Sequence, residues 1–551
     1  MRIKLRNVSL LLVTAIGFSL LAASCSNKNN NATGENSNTE GLTTSLTTEQ
    51  LKDKIKGGWA GQTIGVVYGA PVEFKYQGSI IDEYQVIPWD EHYVKYWWDK
   101  KPGLFDDIYT DLNFVNVFEK YGINANMDTI ASYWANTAYH LAHANQASRY
   151  NILRGLKPPQ TGHWLNNPHA DDLDFQIESD FIGLMAPGML NKATEIADRV
   201  GHIMNSGDGW YGGVYMASMY SMAFVTNDVN RIVSEALKTI PAGTQFHSCI
   251  ADVVKWHSQY PGDWKATWFE LEKKWNKDVG CPKGVYLSFN IDAKINSAYT
   301  TIGLLYGQGN YTKSVDIATR CGQDADCNAA SVGGILGVMT GYSGLPDFWL
   351  KPLQEIEALN FEGTEMSLAK AYELSYKHAL EVLESEGGQI KDNLIEIPYK
   401  DAVPVAFEQN FENTYPIARE RIDFSITKDF TFTFKGNGYI LYGNMVNRTK
   451  VDPDYIDRIA KKFGSETFGL AELNDPYVAE VEIYIDGVKD ETVYLPMKNT
   501  SRRLEPAWKY QLKEGEHEVT LKWVNASENY EIRINDLVIY SENKPVSNLP
   551  I

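Results

Sequence analysis

Two aspartates stand two residues apart in the segment 320–330, which reads Arg-Cys-Gly-Gln-Asp-Ala-Asp-Cys-Asn-Ala-Ala. Side chains at this spacing diverge on a helix but point the same way on an extended segment. We therefore expect Asp324 and Asp326 to lie on a loop that leads into a helix of small residues, with both carboxylates aimed at one point. Convergent carboxylate oxygens are the ligands that Mg²⁺ or Ca²⁺ needs. The alternative is that Asp326 only caps the helix and Asp324 only complements its dipole.

Two further acidic positions offer the same chemistry. Asp106 and Asp107 stand at a predicted helix start, where Asp107 and Asp111 would share a face; acids are also common in a first turn for dipole reasons alone. Glu73 lies in the Gly/Pro-containing segment 69–74. A carboxylate held by such a loop is either a general acid or base or a solvated loop residue.

The elements that must position these acids are helices. Residues 48–61 open as a helix that becomes rich in Gly and Ala, which permits close helix contacts, and apolar residues recur at helical spacing over 106–121. Strand patterns are scarce before about residue 395. The sequence thus predicts an all-α domain over 49–390. Further helical patterns cover 130–144, 181–188, 193–204, 211–224, 229–240, 250–258, 314–320, 327–340 and 367–383.

Alternating apolar and polar residues mark a different second domain. They occur at 430–434, 479–485, 517–523 and 530–534, with turn pairs Asp486-Gly487 and Glu514-Gly515. This spacing predicts an antiparallel, jelly-roll-like β-sandwich over 405–545. Its aromatic residues either bind carbohydrate or only fill a core. The candidates for sugar stacking are Tyr439, Tyr442 and Trp508.

The N-terminus has the pattern of an export signal. A basic start and a short apolar run end in Leu-Ala-Ala-Ser before Cys25, which resembles a bacterial lipobox. Residues 1–25 are therefore predicted to be a lipoprotein signal peptide, with Cys25 lipidated, and residues 26–48 a disordered polar tether. The alternative is an ordinary signal peptide with an incidental cysteine. The expected location is the periplasm, outer membrane or cell surface of a Gram-negative bacterium.

Composition limits the partners of this chain of 551 residues. A formal net charge of −19 argues against nucleic acid and against an anionic membrane surface, so we expect membrane contact only through the lipid anchor. The expected partner is a small molecule or a glycan. Four cysteines follow Cys25, and the sequence leaves their pairing open.

Taken together, the glycine-rich first helix, the loop carrying Glu73, the Asp106-Asp107 helix start and the segment 322–330 resemble the ADP-ribosylglycohydrolase family in their order. The resemblance covers about residues 50–385 and implies an all-α fold. It also implies two Mg²⁺ ions, or another divalent metal, between the two Asp pairs. By this resemblance Asp106, Asp107, Asp324 and Asp326 are metal ligands, and Glu73 performs acid/base work in glycosidic-bond hydrolysis.

The sequence departs from the family pattern at hydroxyl positions. Phe105 and Ile108 stand where the family has Thr beside the first Asp pair, and Cys327 stands where it has Thr after the second. Gln62 stands where the first helix usually has Asp. Phe, Ile and Cys do not supply the hard oxygen donors that Mg²⁺ prefers. Thr110 and Asp111 are the candidates for compensation.

The expected substrate region also departs from the family. Glu178 and Asp180 stand where the family cradles a diphosphate, and their charge would repel phosphate. The resemblance leaves two hypotheses: a hydrolase acting on an ADP-ribosyl group or a related glycoside, and a non-catalytic surface glycan-binding lipoprotein that keeps the fold. Substrate-binding candidates are Asp180, Asn205, Asp208, Trp210 and Tyr211.

Overall fold

The computed structural model describes residues 39–276, 281–449 and 475–545. The predicted signal peptide, Cys25 and the first part of the predicted tether, 26–38, lie outside these ranges. No helix among the described residues is long and apolar enough to cross a membrane. The four cysteines of the described part, Cys249, Cys281, Cys321 and Cys327, are buried free thiols.

Helices form the first part of the described chain, as predicted. The single helix predicted over 130–144 is wrong in its second half, because helix ends at Ala135 and the next helix begins at His143. The helices are α1 (Thr48–Gly69), α2 (Tyr93–Lys100), α3 (Asp106–Tyr121), α4 (Met127–Ala135), α5 (His143–Leu153), α6 (Asp174–Ile177), α7 (Asp180–Met185), α8 (Leu190–Gly201), α9 (Gly207–Ala223), α10 (Val229–Leu237), α11 (Gln245–Gln259), α12 (Trp264–Trp275), α13 (Ala293–Gly307), α14 (Tyr311–Arg320), α15 (Ala325–Thr340), α16 (Asp347–Gln354) and α17 (Leu368–Ser385).

The pair α1 and α15 forms the centre of the helical domain. Glycines recur every fourth residue along α1, and a Cβ at each would overlap the backbone of α15: at Gly57 it would lie 2.2 Å from the Gly337 oxygen, and at Gly61 2.0 Å from the Gly333 oxygen. The two helices therefore pack backbone to backbone, antiparallel, because side chains are absent from the contact. This crossing ends at Gly69, against Asp326.

A small sheet corrects the predicted extent of the tether. Strand β1 (Ser45–Thr47) pairs with β3 (Leu394–Glu396), which also pairs with β2 (Gln389–Lys391). Thr47 then caps α1 in a reciprocal arrangement with Gln50. Residues 45–48 are thus ordered, since their backbone hydrogen bonds are satisfied by the segment after α17.

The C-terminal strands form the predicted sandwich. Two four-stranded antiparallel sheets have the orders β4-β11-β6-β9 and β5-β10-β7-β8, which is 1-8-3-6 and 2-7-4-5 when counted within the sandwich, the order of a jelly roll. Asp486 and Gly487, both at positive φ, make the predicted turn between β7 and β8. The strands are β4 (Tyr415–Ile426), β5 (Phe430–Gly436), β6 (Gly438–Asn447), β7 (Val478–Ile485), β8 (Val488–Pro496), β9 (Ala507–Lys509), β10 (Gly515–Trp523) and β11 (Tyr530–Ser541).

The sandwich packs directly on the helical domain. Residues 397–414, between the two, run along the helical surface: His202 contacts Glu408 at 3.0 Å, and Ser206 donates to Asn410 at 2.9 Å. An apolar cluster then joins the β4-β11-β6-β9 sheet to the helical domain. Its buried members are Trp164, Ala170, Val285, Phe411, Ile440, Tyr510, Val538 and Tyr540.

Candidate active site and metal centre

The segment 322–327 brings its acidic groups to one point. Because α15 begins at Ala325, Asp324 occupies the N-cap position and Asp326 lies in the first turn, not on the preceding loop as predicted. Asp326 is therefore not the N-cap, so the cap expected at Asp326 is wrong, and Asp324 makes no capping hydrogen bond from its N-cap position. One ligand atom from each of Asp324, Asp326 and Cys327 lies within 4.8 Å of the other two, as convergent ligation requires.

The loop that carries Glu73 is fixed to this segment by backbone hydrogen bonds. Phe74 N donates to Gln323 O at 3.0 Å, and Gln323 N donates to Tyr76 O at 2.7 Å. These bonds place the Glu73 side chain beside the aspartates, where it forms an ion pair with Lys101 at 2.9 Å. Sequence reasoning missed Lys101, because a single lysine before Pro102 carries no recognisable pattern.

Helix α3 supplies the other side of the cluster. Asp107 is buried, and the Cys327 thiol donates to its Oδ1 at 3.3 Å. Asp106 is exposed to solvent, with Glu73 close enough to affect its titration. The structure therefore brings together the five acids that the sequence selected: Glu73, Asp106, Asp107, Asp324 and Asp326.

The electrostatics of this cluster favour a bound cation. Burial raises the pKa values of Asp107, Asp324 and Asp326 well above the usual range, and neighbouring carboxylates raise them further. Crowding by protein atoms and the charge of Glu73 raise the pKa of Asp106 to about 7, although its surface is exposed. The Oδ1 atoms of Asp324 and Asp326 are buried and receive no hydrogen bond from a described donor. A divalent cation would satisfy these oxygens and stabilise their charged forms.

More acids lie beneath this layer. Asp111 accepts a hydrogen bond from Gln62 at 3.2 Å, and Asp180 accepts one from Tyr220 at 2.5 Å. The second carboxylate oxygens of Asp111 and Asp180 are buried and have no hydrogen-bond partner among the described residues. Asp180 is only 1% exposed, so it lies beneath the cluster. This position corrects the expectation that Asp180 contacts substrate.

The departures from the family pattern have different structural outcomes. Phe105 packs against Trp98 and Phe361, and Ile108 is fully buried, so neither offers a donor to the cluster. Cys327, by contrast, lies within the cluster and contacts Asp107. A thiol therefore occupies the place where a hydroxyl is expected.

Three expected substrate-binding residues are part of the helical core, which corrects that expectation. Asn205 is fully buried and binds the backbone on both sides of the loop before α6, donating to Ala170 O at 2.9 Å and accepting from Phe175 N at 3.0 Å. Trp210 is 1% exposed and donates to Ala197 O at 3.3 Å. Tyr211 is buried and donates to Ala406 O at 2.9 Å. None presents a free face on which a sugar could stack.

Asp208 lies in a separate cleft. This cavity of about 670 Å³ is bounded by the segment 407–416 on one side and by Asp171, Asp208 and Lys294 on the other. Lys294 is 2% exposed and lies 3.1 Å from Asp292 and 3.6 Å from Asp208. Asp208 is thus not brought together with the Asp324–Asp326 cluster, and its buried ion pairs are typical of a structural network.

The sandwich aromatics also take structural positions. Tyr439 is fully buried in the sandwich, which corrects the expectation that it stacks on sugars. Trp508 donates to Leu165 O at 3.2 Å and is covered by the Arg503 guanidinium, while Tyr442 packs with the interdomain cluster. Tyr442 and Trp508 therefore serve the contact between the domains.

Comparisons with known proteins identify the family of the helical domain. The family model described as ADP-ribosylglycohydrolase matches residues 47–379. A solved structure described as an ADP-ribosylglycohydrolase-related protein complex aligns with 14% sequence identity and a TM-score of 0.40, over 61% of this chain and 99% of that chain. No curated protein matches the chain. The matched family is a family of hydrolases that are typically metal-dependent. Since its model covers more than half of the sequence, the chain belongs to the ADP-ribosylglycohydrolase family.

Proposed function

We propose that this protein is an exported, metal-dependent hydrolase of glycosidic bonds, acting on an ADP-ribosyl group or a related glycoside. The observation that carries the proposal is the convergence of Asp324, Asp326 and Cys327, which contacts Asp107, together with buried oxygens of Asp324 and Asp326 that no described donor satisfies. Leaving such groups unpaired is costly, so their presence favours a ligand that satisfies them. Membership in a hydrolase family supports the reaction class.

The residues present fit a divalent metal. Asp106 and Asp107 on one side and Asp324 and Asp326 on the other would hold two Mg²⁺ ions, as the family resemblance implies. When bound, these ions supply positive charge that orients sugar hydroxyls and a water next to the scissile bond. Cys327 adds a soft donor, which favours another divalent metal such as Zn²⁺ more than an all-oxygen site would.

Groups of the chain itself perform the remaining chemistry. Glu73 is half-buried on a loop fixed to the aspartate segment, so its carboxyl group is placed to exchange a proton with the leaving group or with water. Lys101 contacts Glu73 and holds it in place. Carboxylates around the anomeric carbon stabilise the positive charge that develops there during hydrolysis.

One sequence argument against an ADP-ribosyl substrate is weaker in the folded protein. The charge of Glu178 and Asp180 was expected to repel phosphate. Both side chains are buried, at 2% and 1% exposure, and burial raises the pKa values of both carboxyl groups, which reduces the expected repulsion. The chain's net charge still disfavours a polyanion, and both an ADP-ribosyl group and a neutral glycoside remain candidate substrates.

Export rests on the N-terminal sequence. Lipidation at Cys25 would anchor the protein to a bacterial membrane, and the residues between Cys25 and the ordered segment 42–48 would act as the tether. Labelling with a radioactive fatty acid, compared between the full chain and Cys25→Ala, tests this part of the proposal. Lipid incorporation that persists in Cys25→Ala would overturn it.

Asp324→Asn tests the enzymatic proposal. The assay measures release of ADP-ribose from ADP-ribosylated peptides and of sugar from aryl glycosides, with and without Mg²⁺ or Mn²⁺. The matched control is Asp347→Asn, which also removes a carboxylate from the start of a helix but at a side chain that is 84% exposed. We expect activity to depend on metal, to fall at least about 100-fold in Asp324→Asn and to stay unchanged in the control.

The competing hypothesis is a surface protein that binds glycans and keeps the fold without catalysis. It requires that the wild-type chain bind a mono- or oligosaccharide without metal and without turnover, and that Asp324→Asn bind it equally well. Isothermal titration with ADP-ribose, monosaccharides and oligosaccharides distinguishes the two hypotheses.

A further inference from the structure

A second group of potential metal ligands lies where the helical domain meets the sandwich. It consists of His143 at the start of α5 and His169 and Asp172 in the turn before α6. One ligand atom from each residue lies within 4.8 Å of the other two. A tetrahedral ion with bonds of about 2.0–2.1 Å would hold such atoms about 3.4 Å apart, so only a small closure is needed.

The orientation of His169 points to a ligand. Its Nε2 lies 2.7 Å from Oε1 of Glu505, and both side chains are almost fully buried, at 2% and 3% exposure. The other ring nitrogen, Nδ1, is buried and has no hydrogen-bond partner in the part of the chain that the structure describes. A carboxylate that holds one imidazole nitrogen while the other binds metal is the usual outer-shell arrangement of histidine ligands.

The other two residues are also fixed in place. Asp172 is fully buried; its Oδ2 accepts from Ala144 N at 3.0 Å, and its Oδ1 accepts from Asn205 Nδ2 at 3.2 Å. His143 adopts a left-handed backbone conformation with φ 44°. Such strain in a residue other than glycine persists where surrounding structure holds it, and it is common at functional sites.

We propose that His143, His169 and Asp172 bind a transition-metal ion of the Zn²⁺ class, at a site separate from the Asp324–Asp326 cluster. Two imidazoles and one carboxylate suit Zn²⁺, Co²⁺ or Ni²⁺ and do not suit Mg²⁺, which prefers oxygen ligands throughout. Three protein ligands leave one tetrahedral position for a water or for a substrate oxygen.

The site joins two domains. Glu505 belongs to the sandwich segment just before β9, whereas the three ligands belong to the helical domain. Nearby contacts follow the same interface: Arg502 donates to Leu141 O at 2.8 Å, and Gln146 donates to Arg502 O at 2.8 Å. Metal binding would therefore stabilise the docking of the sandwich beside α5.

Titration of Co²⁺ into the metal-stripped full chain tests the proposal. Tetrahedral Co²⁺ gives intense visible absorption bands, and Zn²⁺ added afterwards should displace it and remove them. The key variant is His143→Asn, because asparagine tolerates the left-handed backbone that His143 adopts. The control is His140→Asn, an exposed residue three positions earlier that also contacts the sandwich, through Asn499 at 2.9 Å.

We expect one equivalent of Co²⁺ with tetrahedral bands in the wild type, in His140→Asn and in Asp324→Asn. In His143→Asn the Zn²⁺ affinity should fall by more than about 100-fold, and in Glu505→Gln by about 10–100-fold, with circular dichroism unchanged. The absence of Co²⁺ or Zn²⁺ binding in the wild type would overturn the proposal. So would tetrahedral Co²⁺ bands that form with full affinity in His143→Asn, or loss of the bands in Asp324→Asn.

Discussion

Gly69 is the position at which helix packing meets the proposed metal centre, and Gly69→Ala tests that connection. A Cβ at this position would lie 2.3 Å from the Asp326 Cα and 2.4 Å from the Asp326 N. These are backbone atoms, so no side-chain rotation can relieve the overlap. Since ordinary contacts begin near 3.4 Å, the first turn of α15 must move away from α1 by about 1 Å.

The size of the expected effect follows from that displacement. Overpacking of a tight contact costs about 1–3 kcal/mol of unfolding free energy. A displacement of about 1 Å in catalytic groups costs on the order of 100-fold in rate. We therefore expect Gly69→Ala to fold, to bind divalent metal more weakly and to hydrolyse substrate about 100-fold more slowly.

Two further glycines provide the controls, with urea unfolding and calorimetric metal titration as the assays. A Cβ at Gly262 meets no atom within 4 Å, so Gly262→Ala should match the wild type in both assays. Gly61→Ala has the same kind of overlap two turns from the aspartates and should lose stability with a smaller loss of metal affinity. If Gly69→Ala and Gly61→Ala have equal unfolding free energies and bind metal equally tightly, the proposed link between the α1–α15 crossing and the metal centre is refuted.

Three other variants test the electrostatics. Burial raises the pKa of Asp180 to about 8, so the metal-free folded protein binds more protons than the unfolded chain between pH 4 and 8 and loses stability as pH rises through that window. Asp180→Asn should remove this loss and add up to about 4 kcal/mol to the unfolding free energy at pH 7 in EDTA. A pH profile of unfolding that is the same in Asp180→Asn and the wild type would contradict this expectation. Burial opposes the charged form of His202, but its hydrogen bonds to Asp198 and Glu408 raise the pKa of His202 to about 9, so the stability that the charged ring confers is complete below pH 6.5 and lost as pH rises through 9. Glu408→Gln should therefore lower the unfolding free energy by about 1.5 kcal/mol at pH 6 and by little above pH 9. Equal losses at both pH values would exclude the His202–Glu408 pair as the cause. Cys327→Thr should tighten Mg²⁺ binding relative to Cd²⁺ binding, since a hydroxyl is a harder donor than a thiol. If calorimetry shows the same ratio of Mg²⁺ to Cd²⁺ affinity in Cys327→Thr and the wild type, the thiol does not contact the metal.

The sequence predicted those elements whose pattern is local. Helix α3 occupies the predicted residues, because its apolar residues repeat at helical spacing, and strict alternation located strands β5, β7 and β10. Helix α13 was missed because it is buried on all sides, with Asn296 and Thr300 fully enclosed, so it shows no amphipathic pattern.

Contacts between distant segments explain the remaining differences. The acids of the proposed metal centre were selected by residue type and order, but Lys101 contacts Glu73 across 28 residues and carries no motif. Trp210 and Tyr211 have the residue types of a sugar site, and only the packing of α9 shows that they are buried. The ligands His143 and His169 became recognisable through Glu505, 336 residues beyond His169.

The most direct test of the account is a calorimetric titration of Mn²⁺ or Mg²⁺ into the metal-stripped chain, in parallel for the wild type, Asp324→Asn and Asp347→Asn. The account predicts saturable binding in the wild type and in Asp347→Asn, and its loss in Asp324→Asn, together with loss of hydrolysis. Equal binding by all three proteins, or no binding by the wild type, would contradict the claim that the buried aspartates form the metal centre of a hydrolase.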